Sequence, residues 1–159
     1  MKNISREDLF LAILKEELIP AMGCTEPIAL AYAAARARKL LTSAPTAILA
    51  RCSGNIIKNV KSVIVPNTDH LKGIPAAATA GIVAGNAEKE LEVIAEVSKE
   101  DTVRMREFLE TVPITVEHVD SGITFEIIVT VYKGDSYAKV RIANYHTNIV
   151  LIEKDGEVL

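Results

Sequence analysis

Apolar residues return at helical spacing between Arg6 and Leu18, with Leu9, Phe10, Ile13, Leu14 and Leu18 on one stripe and Lys15, Glu16 and Glu17 off it. That pattern predicts an amphipathic helix. Ser5 to Asp8 reads as a capping box at its start, and Ile4 with Leu9 as the flanking hydrophobic staple. A second helix is expected from about Glu26 to Leu41. It carries Ala29, Ala31, Ala33, Ala34, Ala35 and Ala37, side chains small enough to let another backbone or a ligand come close. After Thr42-Ser43-Ala44-Pro45, the run from Thr46 to Cys52 reads as a short strand. Val65 to Pro75 is a loop by composition, and Ala76 to Gly85 a second small-residue helix starting just after Pro75. A helical segment follows from Ala87 to Glu96, and Ser98 to Asp101 forms another capping box that opens a helix to about Thr111.

From Pro113 the period changes to two. Ile114, Val116 and His118, then Ile123 to Val131, then Tyr137 to Ile142 read as consecutive antiparallel strands, with Lys133-Gly134-Asp135-Ser136 as a tight turn. The last strand, Asn148 to Glu153, runs into the turn Lys154-Asp155-Gly156-Glu157, which predicts a hairpin without its second strand. The fold class that follows is α+β, with helices packed on one face of a largely antiparallel or mixed sheet of roughly four to six strands that includes Thr46 to Cys52.

Composition narrows the function classes. The 159 residues are 49% hydrophobic and 25% charged, enough for one domain with a real core. The net charge of -3 and the lack of a basic cluster beyond Arg36-Ala37-Arg38-Lys39, at a helix C-terminus, argue against a nucleic-acid partner. No stretch reads as a signal peptide or a membrane span, so a cytoplasmic protein is expected. The two cysteines exclude a disulfide framework, and a reduced pair is expected.

Candidate chemistry centres on Pro20-Ala21-Met22-Gly23-Cys24-Thr25-Glu26-Pro27. Pro20 ends one helix, and Thr25 and Pro27 suit the N-cap and first turn of the next. Cys24 is thereby placed at a helix N-terminus, whose unpaired amides and positive dipole end favour a thiolate and lower a thiol pKa. The plainer alternative is a small buried residue beside a turn glycine. Ser53-Gly54-Asn55-Ile56-Ile57-Lys58-Asn59 gathers polar groups after a strand end, where α/β proteins place ligand contacts, or else is an ordinary turn into a short helix.

Read together, Gly23-Cys24-Thr25-Glu26-Pro27, Ser53 to Asn59, Gly73-Ile74-Pro75-Ala76-Ala77-Ala78 and His146-Thr147-Asn148-Ile149-Val150 resemble, in order, the N-terminal part of the L-cysteine desulfidase family, which is related to the α-chain of iron-sulfur L-serine dehydratases. The resemblance implies that residues 1–159 are a single domain, the N-terminal portion of a longer lyase that converts L-cysteine to pyruvate, ammonia and sulfide with a 4Fe-4S cluster. L-serine as substrate, or a non-enzymatic scaffold that keeps the fold, are the alternatives. Cys24 maps onto a cluster ligand. The family's other ligand cysteines lie in a C-terminal region that this chain lacks, and Cys52 is not at a ligand position, so this chain alone is expected to be inactive and to hold no cluster. Asn67 and Asp69 stand where relatives often have glycines, and Tyr145 where a small residue is common.

Within such a site, Thr25, Asn55 and Thr147 with the helix amides would receive the substrate carboxylate, and Lys58 and Asn148 would add polar contacts. His146 is the candidate acid or base, though a lone histidine at a strand end is also a common structural residue. His70 and His118 have no partner spacing. The partners implied are a small amino acid and the missing C-terminal domain or subunit. The alanine-rich faces are expected to be exposed around Cys24 and to make the isolated chain a homo-oligomer.

Overall fold

A computed structural model describes residues 5–18 and 20–159. Among the described residues, five α-helices and six strands follow one another as α1 (Arg6–Glu17), α2 (Thr25–Lys39), β1 (Ala47–Cys52), α3 (Gly54–Val60), α4 (Gly73–Ala84), α5 (Lys99–Thr111), β2 (Ile114–His118), β3 (Glu126–Lys133), β4 (Ser136–Ala143), β5 (Ile149–Lys154) and β6 (Glu157–Val158). The architecture is α+β.

The strands form one sheet in the order β2-β1-β3-β4-β5-β6. β1 runs parallel to β2, with Ala50 opposite Val116, and antiparallel to β3, with Ala50 opposite Val129. The largely antiparallel, mixed sheet is as expected, and only the reading of Ile114 to His118 as the first of consecutive antiparallel strands is corrected. α5 runs directly into β2 at Pro113, and the chain enters the sheet beside β1 rather than beside β3, its neighbour in sequence. β6 pairs with β5 through Glu153–Val158 and Lys154–Glu157, so the final hairpin does have a second strand, short as it is.

Period-two patterning puts Ile48, Ala50, Cys52, Ile127, Val129, Val131, Ala138, Val140 and Ile142 on one sheet face, all buried. Against that face lies α2, ten of whose fifteen residues are buried, and α4 packs on α2 in turn. The alanines are what make this stacking possible. An ideal Cβ built at Gly81 of α4 would lie 2.0 Å from the Ala31 carbonyl oxygen, and one at Gly85 would lie 2.9 Å from the Ala35 Cβ. The two backbones approach through Ala31, Ala35, Gly81 and Gly85. The expectation that the alanine-rich faces are left open is thus overturned, because these faces fill each other and the sheet.

The opposite sheet face carries Leu49, Arg51, Ile128, Thr130, Tyr132, Lys139, Arg141 and Leu151, which line a shallow basin of about 520 Å³. Glu126 at its edge is 1% exposed and is held by Arg141 (Nη2 to Oε1, 2.6 Å) and by the Ser121 hydroxyl. A carboxylate this deep needs such partners, since burying a charge alone is costly.

Both capping boxes form, Ser5 with Asp8 and Ser98 with Asp101. Ile4, the staple residue, lies outside the described residues. The stripe of α1 behaves differently from the amphipathic expectation, because none of its residues is buried. Helix α4 starts earlier than expected, at Gly73, and takes Pro75 into its first turn, where a missing N–H costs nothing. The segment after Asn86 is a 3₁₀ helix, Ala87–Glu92, interrupted by a positive φ of 46° at Glu90, in place of a regular helix. In the loop after Pro66, Asn67, Asp69 and His70 adopt φ of 59°, 54° and 67°. The left-handed backbone that glycines take freely is therefore kept with side chains in place.

Candidate functional site

Cys24 is the N-cap of α2, with extended backbone at φ -61°, and is exposed. Thr25, expected as the cap, is instead the first helical residue, and no side chain caps the helix. Gly23 before it has φ +154°, and a Cβ there would stand 3.2 Å from the Pro66 Cγ, so the strained loop after β1 and α3 abuts the approach to Cys24.

Glu26, one turn position on, organises this corner. The Cys24 thiol donates to its Oε2 at 3.4 Å, and the Thr25 hydroxyl donates to the same oxygen at 3.4 Å. Burial pushes the Glu26 carboxyl up, but its own backbone amide, the Cys24 thiol, the positive field of His146 and the Thr25 hydroxyl together hold it below the usual carboxylate range. Cys24 responds in the opposite direction. Desolvation first, then the hydrogen bond to Glu26 and the negative charge of Glu26, raise its thiol pKa. The expectation that the helix terminus lowers it is corrected: desolvation, joined by the carboxylate two residues away, outweighs the first-turn amide that favours the thiolate.

His146 sits in the tight connection between β4 and β5. Asn144, with φ 69°, donates its N–H to the Phe125 carbonyl, and the Asn148 side-chain amide donates to the Ala143 carbonyl at 2.8 Å. The imidazole packs on the Phe125 ring at a centroid distance of 4.5 Å, and its Nε2 is buried without a hydrogen-bond partner. Thr147 is half-buried in the same connection, and its carbonyl accepts from the Ile149 amide.

Ser53 follows β1 and holds the N-cap position of α3 without a side-chain cap bond. Its amide donates to the Glu126 carbonyl at 3.0 Å and its hydroxyl to the Thr124 carbonyl at 2.6 Å. Thus Ser53 grips residues 124–126 of the chain, the same stretch from which Phe125 supports His146. Asn55 and Lys58 are exposed on α3, and Asn55 lines a cleft of about 270 Å³ with His118, Asp120 and Thr124.

The structure therefore brings Cys24, Thr25 and His146 to one corner around Glu26, sets Ser53 on the adjoining segment, and leaves Asn55 and Lys58 facing solvent. Asn148 spends its amide on closing the loop. Two residues escaped the sequence reading. Glu26 stood inside the quoted motif without a role, and its spacing of two from Cys24 was the available signal. Phe125 reads only as one more strand residue.

A four-iron cluster is held by cysteine thiolates, and this chain offers one exposed thiol. Cys52 is buried in β1, and desolvation pushes it up to about 12. Among the described residues, no three His, Cys, Asp or Glu gather as a metal site. The donor set of this chain does not fit such a cluster on its own.

The molecule is thus an α+β domain with a thiol, a carboxylate and an imidazole at one end of its sheet. No protein-family model matches it. It is similar to the UPF0597 protein of Desulfitobacterium hafniense, 56% identical over 150 residues, which cover 94% of this chain and 35% of that protein. The UPF0597 protein of Lachnoclostridium phytofermentans is 47% identical over 146 residues, 92% of this chain and 35% of the relative. That of Treponema denticola is 43% identical over 155 residues, 98% of this chain and 36% of the relative. The chain spans about a third of the length of the curated relatives it matches. These names overturn the resemblance to L-cysteine desulfidases. Four short motifs in order involve few positions, whereas the UPF0597 relatives match nearly the whole chain. No helix among the described residues is long and apolar enough to cross a membrane.

Proposed function

We propose that the corner formed by Cys24, Thr25, Glu26 and His146 is the share of a lyase site contributed by this chain, acting by β-elimination on a small α-amino acid and completed by the remaining length of the longer polypeptide. L-cysteine is the proposed substrate and L-serine the alternative. The observation that carries this reading is the exposed Cys24 thiol hydrogen-bonded to Glu26 (3.4 Å), with the Glu26 carboxylate in the field of His146. Elimination needs a base for the α-proton and a path for the leaving group. The amides of the first turn of α2 and the Thr25 hydroxyl bind the substrate carboxylate, with Thr147 beside them. His146, braced by Phe125, takes the α-proton as the neutral imidazole and becomes the cation whose charge Glu26 then faces. The electron pair of the Cα–H bond forms the Cα–Cβ double bond as the Cβ–S pair departs with sulfide, and the 2-aminoacrylate so formed tautomerises to an imine that water hydrolyses to pyruvate and ammonia. Cys24 is proposed as one thiolate ligand of an iron-sulfur centre whose other ligands lie outside this chain. Asn55 and Lys58 form the solvent-facing rim.

The test is anaerobic reconstitution of the complete polypeptide with iron and sulfide, followed by pyruvate and sulfide assays on L-cysteine and L-serine. Sulfide with pyruvate from L-cysteine, lost in Cys24→Ser, is the expected result. Pyruvate from serine alone moves the substrate to the alternative, and no turnover of either refutes the lyase. One observation favours a second reading, a scaffold without chemistry: the Cys24 thiol already donates to the Glu26 carboxylate at 3.4 Å, a neighbour that disfavours a thiolate. Iron content that is unchanged by Cys24→Ser in the complete polypeptide supports that reading.

A further inference from the structure

Helix α1 is the element for which the fold has no use. Leu9, Phe10, Leu11, Ile13, Leu14 and Leu18 are between 47% and 71% exposed, and none joins the core or packs against it. Residues 9–14 are apolar without a break, and at about 100° per residue Leu9, Phe10, Leu11, Ile13 and Leu14 spread over more than half of the helix circumference, while the charged side chains stand at the two ends, Arg6, Glu7 and Asp8 in the first turn and Lys15, Glu16 and Glu17 in the last. The Arg6 guanidinium lies 5.6 Å from the centre of the Phe10 ring. An apolar arc of that width is typical of a helix buried on one side, and a twelve-residue helix gains little stability in water without packing. Its capping box nevertheless forms, so the helix is built to be a helix.

The length of the relatives indicates what covers it. The match to the Treponema denticola protein includes 98% of this chain, which leaves too few residues unmatched for Arg6–Glu17 to fall outside it. Yet the match is 36% of that protein, so nearly two-thirds of its length lies elsewhere. A segment on the same polypeptide reaches α1 at high effective concentration, which favours it over a second copy at ordinary protein concentrations.

We propose that α1 is a docking helix, and that its Leu9, Phe10, Ile13 and Leu14 face seats the part of the longer polypeptide that lies outside the matched region. This inference is independent of the lyase reading, since it concerns packing and not turnover. The full-length Treponema denticola protein and the 159-residue chain are compared. A photo-crosslinking amino acid replaces the residue of the long protein that matches Leu14, and hydrogen exchange is followed over the α1 segment in both proteins. The expected result is a crosslink within one polypeptide to a peptide outside the matched region, and exchange in α1 at least tenfold slower in the long protein than in the short chain. Crosslinks confined to the matched region, or joining two copies, overturn the proposal. So does equally fast exchange in both proteins, and so does protection of α1 in the short chain together with a dimer mass by light scattering, which assigns the face to a second copy.

Discussion

Gly81 lies directly under the main chain of Ala31: a Cβ at position 81 would stand 2.0 Å from the Ala31 carbonyl oxygen and 2.8 Å from its carbon. Backbone, not a flexible side-chain end, occupies the space. Gly81→Ala gains up to about 1 kcal/mol of helix propensity but forces α4 away from α2, and overpacking of this kind costs about 1–3 kcal/mol. The expected outcome is a net loss of stability, read as a lower urea midpoint with unchanged slope. A midpoint at or above the parent value refutes the close contact.

The loop after Pro66 is expected to respond in the other direction. His70 holds φ 67° while exposed, a conformation that costs an L-residue about 1–2 kcal/mol, less the roughly 0.5–1 kcal/mol of extra chain entropy that glycine loses on folding. His70→Gly should therefore stabilise by up to about 1 kcal/mol. Asn67→Gly should gain less, because the Asn67 amide donates to the Ile94 carbonyl at 3.1 Å and that bond is lost. Thermal melts of the two variants side by side check the order.

Glu126 and Arg141 supply a test of burial against exposure. Removing Arg141 leaves a carboxylate that is 1% exposed without its cation, and breaking a buried pair costs about 3–5 kcal/mol, reduced here because Arg141 itself is a third exposed. Arg51 pairs with Glu117 at 3.7 Å across an exposed surface, where a pair is worth about 1 kcal/mol or less. Arg141→Met should destabilise clearly more than Arg51→Met in chemical denaturation. Equal effects contradict the burial argument.

The thiol of Cys24 carries a pH signature. Alkylation proceeds through the thiolate, and a raised pKa means a smaller thiolate fraction at any pH below it. Iodoacetamide should thus modify Cys24 more slowly at pH 8 than a free cysteine, with the rate rising through a midpoint above the ordinary value. Glu26→Gln removes the negative charge and the ionic acceptor, so the midpoint should move down and the rate at pH 8 up. Cys52, pushed to about 12, should react only on unfolding. Mass spectrometry of the alkylated peptides separates the two sites, and a Glu26→Gln rate no faster than the parent contradicts the pairing.

Local rules made much of this molecule legible in advance. The capping residues Ser5 and Ser98, the alternation over Ile123 to Val131 and Tyr137 to Ile142 and the turn at Lys133 to Ser136 depend on neighbours within a few positions, and those elements form there, except that the first of these strands starts at Glu126 and not at Ile123. The α+β class followed from the change of period at Pro113. What lay beyond local rules depended on contacts distant in sequence. Whether alanine faces open to solvent or close on each other is settled by the meeting of Ala31 with Gly81, and the pairing of β2 with β1 spans the whole helical layer between them. The candidate site shows the same division. Cys24 and Glu26 are two residues apart in sequence, but the sign of the thiol shift is set by desolvation and the carboxylate against a first-turn amide, and only geometry decides it. His146 packs at that corner on Phe125, the residue just before β3, a long-range contact that no periodicity encodes. The apolar stripe of α1 was plain from its residues. That the fold leaves it uncovered is a property of the tertiary structure, because burial depends on which surfaces the rest of the chain has left to offer.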